Sequence, residues 1–254
     1  MLYQNPALYD VLLPASGAHV GFYRSLAEQN PGGVLELACG SGQLLVPVAR
    51  FCCGDTPQPE VSGACGLDLS RAMLQAAGRR SRAEGVAVDW READMRSFEL
   101  GRRFGCIFVA RNSLLHLSTS EDFAACFARV REHLAPGGVF AFDIFRPDLA
   151  ALARAPEERF FVMRVPSVEF GEVIVESTND YDAASQVNRA TWYISAPARQ
   201  QAWVAPLHLR SIFPQELPLL LHQNGLELVR RDGDLMGSPF SSTSGRQVCI
   251  CRVR

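Results

Sequence analysis

Apolar and polar residues follow two different periods along this chain of 254 residues. Up to about residue 146, short apolar runs typical of buried strands alternate with longer stretches that have the spacing of amphipathic helices. From residue 158 to residue 213, apolar and polar residues alternate at every second position. The first pattern predicts a parallel sheet with flanking helices, and the second predicts an antiparallel sheet. The predicted fold class is therefore α/β with an antiparallel β segment.

Five apolar runs predict the strands of the parallel sheet, at 33–38, 61–67, 86–91, 104–110 and 139–145. The run at 104–110 is apolar throughout, as expected of a central strand that is buried on both faces. The segments between the runs predict helices over 43–51, 71–84 and 121–134, and a turn-rich loop over 54–59.

The alternating segment predicts four strands, at 160–165, 172–180, 187–195 and 201–213. After it come a predicted helix at 214–224, which ends at Gly225, and two more strands at 226–231 and 247–253. These last elements fit the end of the first sheet, with its final strand antiparallel. The predicted organisation is an N-terminal arm or lid over 1–30, a core over 31–150, an antiparallel insertion over 158–213, and a return to the core over 214–254.

A glycine turn follows the first predicted strand, in the stretch Val34-Leu-Glu-Leu-Ala-Cys-Gly-Ser-Gly42. Glycine reaches positive φ without penalty, and its missing Cβ lets a ligand lie against the backbone. The helix that follows points free N–H groups at whatever occupies the turn. These features predict a nucleotide-type site at the carboxyl end of the first strand. The dinucleotide fingerprint is incomplete, because Leu45 stands where its third glycine would be.

The stretch from Glu36 to Gly42 resembles the first motif of class I S-adenosylmethionine-dependent methyltransferases, an acidic residue followed by Gly-x-Gly. Further matches follow in the same order: Asp68 after the second strand, Asp94-Met95 after the third, and Leu-Ala-Pro-Gly-Gly at 134–138. The resemblance covers about residues 30–146. It implies a Rossmann-like seven-stranded sheet, S-adenosylmethionine as the cofactor and S-adenosylhomocysteine as its product.

The same resemblance implies roles for individual residues. Asp68 would hold the ribose diol and Asp94 the adenine amine, while Met95 would pack on the ring; alternatively, Asp68 only caps the next helix. A carboxylate at Glu36 suits the cationic amino acid moiety of this cofactor. The complete implied set of cofactor-binding residues is Glu36, Ala38, Gly40, Gly42, Asp68, Leu69, Asp94, Met95, Ala110 and Arg111.

Methyl transfer from a sulfonium needs alignment and exclusion of water, and it needs neither a covalent nucleophile nor a metal. His116, just after the fourth strand, is the predicted base for an amine acceptor, and Tyr9 is the second candidate. His116 is alternatively a structural residue that bonds a nearby carbonyl. The segment around Tyr9 resembles the arm that closes over the cofactor in many small-molecule methyltransferases; alternatively, Tyr9 only anchors the terminus. The predicted acceptor-binding residues are Asn112, Tyr193, His208 and Arg210.

Composition narrows the range of partners. A formal net charge of −2 argues against a nucleic-acid partner, and arginine pairs such as Arg79-Arg80 are expected to be solvated. The eight cysteines lack zinc spacing, so we expect buried thiols in a reducing compartment and no metal site. No signal-like segment or membrane-length apolar run is present, so we expect a cytoplasmic monomer or homodimer with no membrane partner.

The predicted function is methyl transfer to a small-molecule acceptor. N-methylation is slightly favoured over O-methylation, because similar insertions occur in small-molecule N-methyltransferases that act on glycine and amino sugars. The alternatives are an RNA or protein methyltransferase, a nucleotide-cofactor oxidoreductase, and a non-catalytic protein that binds S-adenosylmethionine.

Overall fold

Two sheets organise the protein, one of seven strands in the order β10-β11-β5-β4-β1-β2-β3 and one of four strands in the order β6-β7-β8-β9. The computed structural model describes residues 2–52 and 63–254. The predicted fold class is confirmed, since the larger sheet has parallel pairing throughout its central part and the smaller one is antiparallel. The predicted loop at 54–59 lies outside the described residues, as does the start of the second predicted strand.

The strands of the larger sheet are buried where they cross the centre. Val34–Leu37 (β1) pairs in parallel with Ala64–Asp68 (β2) and with Phe104–Val109 (β4), and all residues of β1 and β4 are buried. Asp89–Glu92 (β3) forms one edge and Leu226–Asp232 (β10) forms the other. The remaining strands are Leu134–Phe145 (β5) and Arg246–Val253 (β11), which pair antiparallel.

Helices cover both faces of this sheet, and local signals in the sequence explain where several of them begin. Ser70 and Thr119 cap the helices that follow them through their side-chain oxygens. The α-helices are Pro6–Leu12 (α1), Gly17–Gln29 (α2), Leu45–Cys52 (α3), Arg71–Ala83 (α4), Ser120–His133 (α5), Leu149–Leu152 (α6) and Glu216–Gln223 (α7). No helix among the described residues has the length and apolar character required to cross a bilayer.

The smaller sheet contains Phe160–Ser167 (β6), Gly171–Asp182 (β7), Val187–Ala196 (β8) and Gln201–Arg210 (β9). One face of this sheet is apolar and packs against the N-terminal arm. Leu2, Leu8 and Leu12 from the arm join Val173 and Ile194 from the sheet in one buried cluster. The arm therefore connects the insertion to the core, which no local pattern in the sequence indicated.

Two predicted elements differ from the structure, and one helix was not predicted. Strand β3 begins at Asp89 rather than at residue 86, because its pairing with β2 begins at Cys65 opposite Asp89. Strand β5 begins at Leu134 rather than at residue 139, because Leu134 already pairs with Phe104; the Leu-Ala-Pro-Gly-Gly motif at 134–138 forms an irregular stretch before Val139 pairs with Cys106. Helix α1 was not predicted, although its Asn-Pro start is a recognisable cap.

Candidate active site

The carboxyl ends of β1, β2 and β3 meet at a cavity of about 370 Å³. Its wall includes these predicted cofactor residues: Ala38, Gly40, Asp68, Leu69 and Met95. It also includes both predicted catalytic residues, Tyr9 and His116. Residues that the sequence did not single out complete the wall: Tyr3, Gln4, Ser70, Met73, Ala93 and Ser113.

A smaller cavity of about 20 Å³ adjoins the first, since Tyr9, Ala38, Gly40 and Ser113 line both. Three more of the predicted cofactor residues lie there: Glu36, Ala110 and Arg111. The ends of β1 and β4 bring these three side chains together because parallel strands that are neighbours in a sheet end at the same edge.

The turn after β1 has three residues with positive φ: Ala38 at 55°, Gly40 at 55° and Gly42 at 74°. A Cβ on Gly42 would lie 3.0 Å from the Trp90 ring, so this glycine permits close packing. A Cβ on Gly40 would lie 3.9 Å from the ring of Tyr9, on the side of the cavity. Gly42 therefore serves packing of the turn, while Gly40 keeps the cavity open.

Asp68 joins the tip of β2 to this turn. Its Oδ2 accepts a hydrogen bond from the Gly40 N–H at 2.7 Å, and its Oδ1 accepts one from the Ser70 N–H at 2.8 Å. Burial raises the pKa of this carboxyl, although the backbone N–H groups oppose the shift. The Ser70 side chain caps α4, so Asp68 is not the N-cap of this helix.

Glu36 places a carboxylate inside the small cavity with one oxygen unused. The residue is 4% exposed, and its Oε2 is buried with no hydrogen-bond partner among the residues described. Burial raises the pKa of Glu36 well above its usual value, with the Arg111 charge and a hydrogen bond from the Leu45 backbone opposing the shift. A buried carboxyl group without a partner is ionised when a cation binds beside it, so this end of the site fits the amino group of S-adenosylmethionine.

Asp94 does not contribute to either cavity wall, whereas its neighbours Ala93 and Met95 do. Both oxygens of Asp94 accept from the Arg96 guanidinium, which also pairs with Asp122 at 2.6 Å. The hydrogen bond from Arg96 lowers the pKa of Asp94. The structure thus brings Met95 to the cavity and holds the adjacent carboxylate against an arginine.

The turn after β4 has an uncommon backbone, because Arg111 and Asn112 both have positive φ, at 58° and 67°. Asp143 stabilises this turn: its Oδ1 accepts from the Arg111 N–H at 2.9 Å, and its carbonyl accepts from the Asn112 N–H at 3.0 Å. The Asn112 side chain accepts from the Phe145 N–H at 2.8 Å. Asn112, predicted to bind the acceptor, therefore uses its amide oxygen to connect β4 to β5.

Asp143 itself is completely buried and has several donors around its carboxylate. The hydroxyl of Tyr23 donates to it at 2.6 Å, the Arg246 guanidinium pairs with it, and His19 Nε2 lies 3.7 Å away. Burial alone would raise the pKa of Asp143, but these groups outweigh burial and hold the pKa below its usual value. The carboxylate is therefore charged, and it fixes the turn that carries Arg111.

Arg111 connects the core to the N-terminal arm. Its guanidinium donates to the backbone carbonyl of Leu13 and lies 5.5 Å from the centre of the Tyr9 ring. Burial raises the pKa of Tyr9, while the Arg111 charge opposes that shift. The phenol of Tyr9 is consequently neutral, and it can donate a hydrogen bond more readily than it can accept a proton.

His116 lies between the arm and the insertion. Its Nε2 is 2.8 Å from the hydroxyl of Tyr3, and its ring also interacts with the backbone carbonyl of His208. Desolvation lowers the pKa of His116, although the carbonyl of His208 opposes the shift. The imidazole is therefore neutral near pH 7. It bonds a backbone carbonyl, as expected of a structural histidine, and it also lines the cavity, as expected of a base.

Asp10 holds the arm over the glycine turn. Its carboxylate accepts from the Ser41 hydroxyl at 2.5 Å, from Gln43 Nε2 at 2.7 Å and from Arg80 Nη2 at 2.6 Å. Arg80 also donates to the Ser41 carbonyl at 3.1 Å. The expectation that Arg80 is merely solvated is therefore wrong, because tertiary packing brings the arm to it.

The remaining predicted acceptor residues do not meet at this cavity. The ring of Tyr193 stacks with the Arg159 guanidinium at 4.1 Å, and His208 is exposed. Arg210 lines a different cavity, where its Nη2 donates to Glu216 at 2.6 Å. Strand periodicity predicted these strands correctly but did not indicate which face would be turned toward the core.

Residues 34–138 match the family model described as a methyltransferase domain. This part of the chain is a methyltransferase domain. The N,N-dimethyltransferase of dTDP-3-amino-3,4,6-trideoxy-alpha-D-glucopyranose from Streptomyces venezuelae is 35% identical over 110 residues, which are 43% of this chain and 41% of that protein. A putative methyltransferase, YqeM, from Bacillus subtilis is 28% identical over 149 residues, which are 57% of this chain and 56% of that protein. The chain thus spans about half or less of the length of the curated relatives it matches.

Solved structures resemble the whole chain, beyond the part that matches the family model. The CcbJ methyltransferase from Streptomyces caelestis has a TM-score of 0.82 and 22% identity, and the match covers 100% of this chain and 98% of that one. At this identity the likeness shows a shared fold, including the insertion. The resemblance to class I S-adenosylmethionine-dependent methyltransferases that the motifs predicted is confirmed.

Proposed function

We propose that this protein transfers a methyl group from S-adenosylmethionine to an amine of a small-molecule acceptor. The observation that carries the cofactor part of this proposal is Glu36 Oε2, a buried oxygen without a partner in the described part of the chain, in the smaller of two adjoining cavities. The cofactor supplies a methyl group on a positively charged sulfur, and its amino group provides the cation that this carboxylate lacks.

Different residues around the two cavities would bind different parts of the cofactor. Glu36 would take the amino group, and Arg111 faces the same small cavity with the positive charge that a carboxylate needs. The remaining lone pairs of Asp68 are available to ribose hydroxyls. An adenine ring would lie among Met73, Ala93 and Met95. We leave Asp94 out of this set because its carboxylate is bound to Arg96.

The arm and the insertion would exclude water from the reacting groups. Tyr3 and Tyr9 lie over the cavity with their rings 5.9 Å apart, held by the contacts of Asp10 and Arg111. Exclusion of water strengthens the interactions of the charged groups inside and aligns the acceptor with the methyl group. Because His116 is neutral, its Nε2 would accept a proton from an acceptor amine after that amine replaces the Tyr3 hydroxyl as its hydrogen-bond partner.

An amine acceptor is supported by the relatives rather than by the site. The relatives include N,N-dimethyltransferases of three different dTDP-amino sugars, which are 32–35% identical over 110 residues. We propose a small-molecule acceptor on the same basis, and a cytoplasmic monomer or homodimer, in line with the composition.

Release of S-adenosylhomocysteine by the purified protein tests the proposal. The protein would be offered S-adenosylmethionine with separate pools of small amines, phenols, other hydroxylated metabolites, bulk RNA and denatured protein. We expect release with the small-amine pool, and we expect calorimetry to show cofactor binding that weakens in Glu36→Gln. Release only with RNA or only with protein would show that the acceptor is that macromolecule and not a small molecule. Cofactor binding with no release from any pool would favour the non-catalytic alternative, and no cofactor binding would overturn the proposal.

A further inference from the structure

The larger and the smaller of the two adjoining cavities share a short stretch of wall, formed by Tyr9, Ala38, Gly40 and Ser113. On one side of it, the smaller cavity contains Glu36 and Arg111, the proposed partners of the amino acid end of the cofactor. On the other side, the larger cavity contains the proposed sites of the ribose and the adenine. The sulfur atom joins these two ends of the cofactor. It follows from the proposed function that the methyl group lies beside the shared wall.

Ser113 brings to this shared wall a hydroxyl group that the fold does not use. The residue is half-buried, and its backbone N–H donates to the Ala110 carbonyl at 3.1 Å. Its side chain makes no hydrogen bond within residues 2–52 and 63–254. The Ser113 oxygen is therefore available to a ligand, both as a donor and as an acceptor.

The backbone that carries Ser113 is fixed by the turn after β4. Arg111 and Asn112 both have positive φ, a conformation that persists only where surrounding contacts determine it. Asp143 accepts from the N–H groups of both residues, and the Asn112 amide oxygen accepts from the Phe145 N–H. A side chain that is fixed in position and makes no structural hydrogen bond is typical of a functional group.

Ser113 and His116 are the first and last residues of the 3₁₀ helix Ser113–His116. Side chains three residues apart in such a helix lie on the same side, and both of these residues line the larger cavity. His116 Nε2 lies 2.8 Å from the hydroxyl of Tyr3, which lines the same cavity. An acceptor atom that contacts both Ser113 and His116 therefore lies in the larger cavity, next to the methyl group.

A primary amine has two N–H bonds and one lone pair, which point in different directions around the nitrogen. The Ser113 oxygen and the Nε2 of neutral His116 can each accept a hydrogen bond from one N–H. When both N–H bonds are held in this way, the lone pair of the amine is free to face the methyl group. These two side chains thus have the chemistry to align a primary amine for transfer.

We propose that Ser113 orients a primary amine acceptor by accepting one of its N–H bonds while His116 accepts the other. The inference rests on the proposed function, because it concerns how the same site holds the acceptor. A secondary amine has one N–H, which it needs for loss of its proton to His116, and its existing methyl group would lie at Ser113. Ser113 therefore contributes to a first methyl transfer and not to a second one.

The atoms and charges of the transfer balance with these two groups in place. The amine lone pair forms the N–C bond as the C–S bond breaks, and the electron pair of that bond stays on sulfur as S-adenosylhomocysteine forms. The product is a methylammonium ion, and one of its protons passes to His116. Ser113 neither gains nor loses a proton, so its role is to orient the amine.

The test compares primary amines with their own N-methyl derivatives. Benzylamine, 2-amino-2-deoxyglucose and 3-amino-3-deoxyglucose are offered with S-adenosylmethionine, each beside its N-methyl form, and S-adenosylhomocysteine release is measured. Ser113→Ala should lower kcat/KM for the primary amine about fivefold, the worth of one hydrogen bond, and leave that for the N-methyl amine unchanged. The ratio of the two values should fall by the same factor. Affinity for S-adenosylhomocysteine, measured by calorimetry, should stay within twofold of the wild type.

Two further variants separate orientation of the amine from a structural effect. Ser113→Thr keeps the hydroxyl and should keep the wild-type ratio. Ser118→Ala removes a hydroxyl two residues after the same helix, outside both cavity walls, and should also keep it. An equal loss for both amines, an unchanged ratio in Ser113→Ala, or loss of S-adenosylhomocysteine binding would overturn the inference and leave the proposed function standing. No release from the wild-type protein with any amine would overturn the proposed function and this inference with it.

Discussion

The seven-stranded core carries the two adjoining cavities at one edge of its sheet, and all of their described lining residues lie outside the four-stranded insertion. In the core, Glu36, Asp68 and Met95 lie in or just after successive parallel strands, so the topology alone brings them to one edge. In the insertion, Tyr193 and His208 lie on strands whose orientation toward the core is decided by packing. Because neighbouring parallel strands end at the same edge of a sheet, the sequence predicts which residues meet there, and antiparallel strands allow no such prediction.

The largest expected effect tests the core side of this comparison. Gly40→Val places a branched side chain at a φ of 55°, beside the cavity, and should abolish measurable cofactor binding. Gly101→Val is the matched control, because Gly101 has a φ of 64° and a Cβ there would meet no atom within 4 Å. Calorimetry with S-adenosylhomocysteine measures both. Equal losses in the two variants would mean that backbone strain, and not the cavity, explains the effect.

The next effect concerns the buried carboxylate of Asp143, which joins helix α2 and strand β11 to the turn after β4. Asp143→Ala removes the partner of Arg246 and of the Arg111 turn, and it should lower the free energy of unfolding by about 3–5 kcal/mol at pH 7. The pKa of Asp143 is lowered in the folded protein, so its contribution is present above the unfolded pKa of about 3.9 and is lost as the pH falls through the folded pKa.

Urea unfolding between pH 3 and pH 8 measures this difference. Tyr23→Phe is the control, since it removes one hydrogen bond to Asp143 and leaves the charge, at a cost of about 1 kcal/mol. A loss below 1 kcal/mol in Asp143→Ala, or one that does not change with pH, would contradict the role given to this carboxylate.

The third effect is electrostatic and lies inside the core. Glu36→Gln should weaken cofactor binding by about 1.5–3 kcal/mol through loss of a charge-assisted hydrogen bond. Because the pKa of Glu36 is raised in the free protein, binding of a cation should release its proton, and affinity should rise with pH below that pKa.

Calorimetry in two buffers of different ionisation enthalpy counts the protons released. The wild-type protein should release protons on binding and Glu36→Gln should not. Glu92→Gln, at an exposed position at the end of β3, controls for loss of a carboxylate. The same proton release in Glu36→Gln as in the wild type would remove Glu36 from the binding step.

The smallest effect tests the arm. Asp10→Asn weakens the ion pair with Arg80 while keeping a similar shape, and it should lower cofactor affinity about fivefold by loosening the arm over the cavity. Glu28→Gln breaks an exposed pair with Arg24 on α2 and should leave the affinity unchanged. Stopped-flow dissociation of S-adenosylhomocysteine should show the change mainly as faster release. Unchanged release in Asp10→Asn would mean that the arm stays closed without this ion pair.

The sequence by itself determined most of the strands, the antiparallel direction of the last one, the glycine turn and the carboxylates at the strand ends. Each of these follows from short-range patterns: apolar runs, helix caps, and the rule that parallel strands end at one edge. The Glu36 and Asp68 positions were predictable for this reason, and the structure places both on the cavity walls.

Only the tertiary structure decided how the arm, the core and the insertion meet. Tyr3 lies beside His116, Asp10 beside Arg80, and Asp143 beside the Arg111 turn, over separations of 113, 70 and 32 residues along the chain. Such contacts depend on which faces are buried against each other, and a pattern of period two is the same for either face. The pairing of Asp94 with Arg96 was also seen only in the structure, although the two residues are close in the chain.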